Sequence, residues 1–99
     1  MLIVAGKVRI KPESREEATK VALVMAKASQ AETGCLDYRF YADLEDPNLF
    51  FVFEEWENEE ALFRHFQSEH MKTFQKQLPG MVVSSKIQRY DVATVGSLR

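Results

Sequence analysis

Both histidines of this chain, His65 and His70, fall in one short stretch, Glu54-Glu55-Trp56-Glu57-Asn58-Glu59-Glu60-Ala61-Leu62-Phe63-Arg64-His65-Phe66-Gln67-Ser68-Glu69-His70. Imidazole is the one side chain whose unperturbed pKa sits near neutrality, so proton transfer is the first chemistry to look for. Trp56 adds an indole N–H, and Tyr38 a phenol on a neighbouring segment. Glu54 is a carboxylate in an otherwise apolar alternation and needs a partner. Arg39, Lys7 and Arg89 could supply one in an ion pair; an acid of raised pKa is the alternative.

Each of these groups also has a plain structural reading. His65 suits the C-terminal end of a helix, where an imidazolium meets the helix dipole. His70 falls in the first turn of the next helix, where positive charge is disfavoured, so it reads as neutral and hydrogen-bonded. Trp56 and Tyr38 fit ordinary core packing. The histidines are five apart across an expected helix break and miss the i,i+4 spacing of HExxH. The sequence offers no third ligand beside them, so no metal is expected. Cys35, the single cysteine, reads as a small buried hydrophobe, because no neighbouring cation argues for a thiolate.

The elements that must position these groups are well marked. Leu2 to Ile10 is rich in β-branched residues and stops at Lys11-Pro12, as a strand should. A helix follows, with Ser14 and Glu17 at capping-box spacing. Its buried stripe is Ala18, Val21, Ala22, Met25 and Ala28, with Arg15, Glu16, Lys20 and Lys27 largely off it. Gly34 stops it. From Cys35 to Ala42 the pattern alternates, with Leu36, Tyr38 and Phe40 on one face and Cys35, Asp37, Arg39 and Tyr41 on the other. Leu44 to Asn48 is a turn. Leu49 to Glu57 returns as a strand with Phe50, Val52, Glu54 and Trp56 on one face and Leu49, Phe51, Phe53 and Glu55 on the other. Both faces are largely apolar, so both must be covered. Asn58 and Ser68 are N-caps of two successive helices, the second ended by Pro79-Gly80. Met81 to Val92 is a last strand.

The order β-α-β-β-α-β is the ferredoxin-like plan, an α+β fold with an antiparallel sheet and helices on one face. Residues 1–92 make a single domain and residues 93–99 a C-terminal tail. The open sheet face, with Phe51 and Phe53, is most simply covered by a second copy, which gives a homodimeric α/β barrel. A chain of 99 residues buries roughly 65% of its unfolded surface, enough for a core without disulfides. A net charge of −2 gives no reason to expect nucleic acid or an anionic membrane as partner. No apolar run approaches the ~20 residues of a membrane span. The absence of any disulfide pair or signal-peptide pattern points to a cytoplasmic protein.

Gly34-Cys35-Leu36-Asp37-Tyr38, Phe53-Glu54-Glu55-Trp56, Ala61-Leu62-Phe63-Arg64-His65 and Ser68-Glu69-His70-Met71-Lys72 together resemble the antibiotic biosynthesis monooxygenase (ABM) domain, in the right order and spacing across nearly the whole chain. The resemblance extends to the small bacterial quinol monooxygenase-like proteins. It implies a cofactor-independent oxygenase that oxidises a small quinol or other dihydroxy-aromatic, with O2 as co-substrate. Such an enzyme needs a base, donors for a developing oxyanion, and a dry aromatic pocket. On that reading His65 is the base and His70 a second acid/base, while Tyr38 and Trp56 are donors or stacking walls. Phe40, Val52, Glu54 and Phe66 would contact the substrate. The haem-degrading branch of the family is a poor match. Its asparagine, tryptophan and histidine fall on Lys7, His65 and Gln75. Two other readings share the fold. One is an isomerase of a small phosphorylated sugar-like signal, using Lys7, Arg39 and Arg64. The other is a ligand-binding stress-response module without turnover.

Overall fold

A computed structural model describes residues 1–99. Strand β1 (Leu2–Ile10) leads through a single 3-10 turn at Pro12–Ser14 into α1 (Arg15–Gln30). Strands β2 (Cys35–Ala42) and β3 (Leu49–Trp56) form a hairpin. Helices α2 (Glu59–Phe66) and α3 (Glu69–Gln77) precede β4 (Val82–Asp91). All neighbouring strands run antiparallel in the order β2-β3-β1-β4. This is the ferredoxin-like arrangement, with residues 93–99 outside any helix or strand.

Local chemistry explains most of the boundaries. Asn58 and Ser68 cap α2 and α3 through side-chain oxygens that accept from the backbone N–H of Ala61 and Met71. Each bond satisfies a donor that the first helical turn leaves free. The α1 start differs from the capping-box expectation. Pro12 draws the chain into a 3-10 turn, Ser14 already has helical dihedrals, and its hydroxyl caps nothing. The α1 stripe also runs further than its apolar residues, because Ser29 is fully buried at its end while Ala28 is only half-buried.

Gly34 turns the chain from α1 into β2 with φ at +88°. A side chain there would be strained by that φ, and its Cβ would stand 2.5 Å from the Cβ of Ala61. The turn is therefore pinned beneath α2. A register shift lies just beyond it, between Cys35 and Asp37. It inserts one residue, so Leu36 is 57% exposed while Cys35 packs on the core and Tyr38 is buried. The strict alternation expected for this strand fails at Leu36 for that reason.

On β3 the alternation holds. Phe50, Val52, Glu54 and Trp56 are buried beneath the helices. The opposite sheet face has no helix over it and leaves Phe51, Tyr41 and Tyr90 exposed, with Ile3 and Phe53 half-buried.

Candidate active site

Three of the side chains singled out from the sequence are among the most enclosed in the molecule. Trp56 and His65 are both 0% exposed and Tyr38 2%. The helix break at Gln67-Ser68 places them. Ser68 caps α3, and its hydroxyl donates to the backbone oxygen of His65 at 2.7 Å, which fixes the end of α2. His65 then stacks obliquely on Trp56, ring centres 4.7 Å apart, with Tyr38 at 5.4 Å and His70 at 5.8 Å.

An apolar cavity of about 230 Å³ lies between the sheet and the helices. Tyr38, Phe40, Val52, Glu54 and Phe66 line it, together with Phe74, Met71 and Gln75 of α3. An engineered apolar cavity of roughly 150 Å³ holds benzene, so this one has room for a molecule larger than a single ring. Glu54 is the only ionisable carboxylate in its wall, and no lysine or arginine reaches it.

Glu54 has no cationic partner. Arg39 pairs with Asp37 on the surface, Arg89 with Asp91 and Glu59, and Lys7 is exposed on the far face of the sheet. The ion pair that its position in the sequence invites does not form. Its partner is instead the indole N–H of Trp56, which donates to Oε1 at 2.9 Å. Burial pushes the Glu54 carboxyl up to about 7, against the Trp56 bond and the Tyr38 phenol, which hold it down. Tyr38 is in turn pushed well above the usual phenol range, chiefly by burial and then by the Glu54 charge. It stays a neutral O–H donor at any working pH.

The histidines form a second cluster behind this wall. Oε2 of Glu32 stands 2.6 Å from Nδ1 of His65 and 2.7 Å from Nε2 of His70. A carboxylate only accepts, so each imidazole presents its proton to that oxygen. Burial drives the His65 pKa down, and the Glu32 bond opposes it. In the neutral ring the remaining nitrogen, Nε2, is a bare lone pair, buried and without a partner. Neither histidine lines the cavity. Trp56 joins the two groups, with His65 stacked on its ring and Glu54 bound to its N–H, while Tyr38 and Phe66 in the cavity wall also pack against His65.

The eight side chains singled out from the sequence thus divide into two groups. Tyr38, Phe40, Val52, Glu54 and Phe66 meet in the cavity, and His65 and His70 meet at Glu32, with Trp56 between. Glu32 went unnoticed in the sequence, because it lies in a turn and reaches the histidines only through the fold. Gln75 and Phe74 were equally silent, being spaced like any amphipathic helix. The Cys35 thiol, between the two groups, is pushed up to about 11 by burial and by Glu32, Glu54 and Asp37, so it remains protonated.

Residues 1–77 match the antibiotic biosynthesis monooxygenase (ABM) family. The chain belongs to that family. An uncharacterized Synechocystis protein, sll1783, is 33% identical over 98% of this chain and 67% of its own length. A Bacillus subtilis protein named "Putative monooxygenase YcnE" is 30% identical over 75% of this chain and 78% of its own. The fold matches the crystal structure of a "putative antibiotic biosynthesis monooxygenase" from Deinococcus radiodurans. That match has a TM-score of 0.93 and 25% identity, and it covers 100% of this chain and 99% of that one. The ABM fold with its four-stranded sheet and three helices is therefore common ground.

Proposed function

We propose that this ABM protein is a cofactor-independent monooxygenase of a small quinol or related dihydroxy-aromatic, with Glu54 as the base. The observation that carries the reading is a buried carboxyl with no cation beside it in the wall of an apolar cavity, where burial pushes its pKa up to about 7. A base is most effective when its pKa lies near the working pH. His65, suggested as base by sequence, stands one layer behind the cavity, so the first proton goes to Glu54.

The chemistry needs no group that the cavity lacks. Glu54 takes a phenolic proton, and the Tyr38 O–H steadies the resulting aryloxide. The anion passes one electron to O2, leaving an aryloxyl radical beside superoxide. The pair joins through a new C–O bond at a ring carbon. The O–O bond then breaks as that carbon loses its proton, and water departs with the proton held by Glu54. A hydroquinone and O2 thus become a hydroxyquinone and water, with all electrons drawn from the substrate. The dry apolar wall protects the radical pair from solvent.

The phosphorylated-sugar reading loses its support. Lys7, Arg39 and Arg64 are exposed away from the cavity, and an anionic substrate would meet only Glu54 there. We further infer a homodimer through the uncovered sheet face, where a second copy would cover Phe51, Phe53 and Tyr90. A Phe51→Glu chain should then run as a monomer in light scattering; an unchanged mass for both chains would remove the dimer.

The deciding experiment is O2 uptake with a chemically reduced naphthoquinol, corrected for autoxidation, for wild type and Glu54→Gln. Saturable uptake that the substitution abolishes supports the assignment. Wild-type uptake at background, with tight binding of the quinone, would leave a binding module instead. Undiminished uptake in Glu54→Gln would remove Glu54 as the base.

A further inference from the structure

Glu32 sits in the α1–β2 turn, His65 at the end of α2 and His70 at the start of α3. We propose that these three residues form a binding site for one divalent transition-metal ion, Zn2+ by preference, with water completing its shell. The ligands are Oε2 of Glu32, Nδ1 of His65 and Nε2 of His70. The inference is independent of the oxygenase reading, since none of the three residues lines the cavity.

The three donor atoms all lie within 4.8 Å of one another. Two imidazoles and a carboxylate are a donor set that suits Zn2+ and its neighbours in the first transition row. Both rings already aim at one oxygen, at 2.6 and 2.7 Å. Ligands on a tetrahedral Zn2+ stand roughly 3.3 Å apart, given metal–ligand bonds of about 2.0–2.1 Å. The two contacts to Glu32 must therefore open by about 0.6–0.7 Å, and the two imidazole nitrogens, within 4.8 Å of each other, must close by up to about 1.5 Å. Each neutral imidazole yields its metal-facing proton to its other nitrogen. For His65 that nitrogen is Nε2, buried and without an acceptor, so metal binding there must also offset an unpaired N–H.

An ion has a way in. His65 is wholly enclosed, but the Glu32 and His70 side chains are 16% and 25% exposed, so the site opens on their side. A bound ion would clip the turn before β2 to both halves of the broken helix, across a joint otherwise held by the Ser68 cap.

The test is titration of the metal-free full-length protein with Zn2+ against a chromophoric chelator, with Co2+ spectra as a second readout. The expected result is one ion per chain, visible Co2+ bands of low coordination number, and a Tm raised by several degrees in zinc. Glu32→Gln and His70→Ala, both at part-exposed positions, should remain folded by circular dichroism and lose affinity by more than tenfold. Three outcomes overturn the site: a chelator that strips the wild type completely at micromolar zinc, affinity unchanged in both variants, or binding that disappears in Cys35→Ser instead.

Discussion

Replacing Glu54 with glutamine should stabilise the protein at neutral and alkaline pH while destroying its turnover. Glutamine keeps the shape, and its amide oxygen can still accept the Trp56 N–H. What it removes is a charge that burial disfavours. The carboxyl pKa rises from 4.5 in the unfolded chain to about 7 in the fold. Between these values the native state holds a proton that the unfolded state has released, so stability must fall as pH rises. The contribution is fully present below pH 4.5, fades across the window, and is gone above pH 7. A shift of this size is worth ~3 kcal/mol, at 1.36 kcal/mol per pH unit. That is a large fraction of the 5–15 kcal/mol typical of a whole domain.

Urea unfolding of wild type and Glu54→Gln from pH 4 to pH 8.5 isolates this quantity. All other titrating groups are shared, so the difference curve reports Glu54. The variant should gain ~3 kcal/mol relative to wild type between pH 4.5 and pH 8, while oxygen uptake drops by about 10²–10⁴-fold, the usual share of a general base. Stability gained together with activity lost is what a functional, unpaired buried carboxylate requires. A flat difference curve would refute the argument, because it would mean that Glu54 is as comfortable charged in the fold as in water.

Trp56→Phe removes the N–H that holds the Glu54 pKa down, so the acid limb of the pH–rate profile should move to higher pH; an unmoved limb would separate the two residues. Gly34→Ala should cost at least 1 kcal/mol in denaturant melts, because the positive φ and the contact with Ala61 both oppose a Cβ. Ser68→Ala should cost about 0.5–2 kcal/mol and raise amide exchange at Met71, whereas equal protection in both proteins would show that the cap is idle.

The family and the element order were legible because they rest on local chemistry. Caps at Asn58 and Ser68 and the two-residue period of β3 each act within a few residues, and each stands in the fold as its spacing implies. The helix stop expected at Gly34 falls earlier, since α1 ends at Gln30 with Ala31 as its cap, and Gly34 serves the turn into β2 instead. Glu54 was visible too, as a carboxylate on an apolar face. Its partner was not, since two of the cations that could have paired with it, Arg39 and Arg89, found acidic neighbours on the surface at lower desolvation cost. The bulge at Leu36 and the close approach of Gly34 to Ala61 beside it are both set by pairing across the fold, which no local pattern records. The histidines were the easiest residues to notice, yet only tertiary structure decided what they face. Glu32 meets them across 33 and 38 positions of chain, and neither histidine lines the cavity. A residue's type is written in the sequence, but its pKa and its reach depend on which groups the fold brings within a few ångströms and how much water it leaves there.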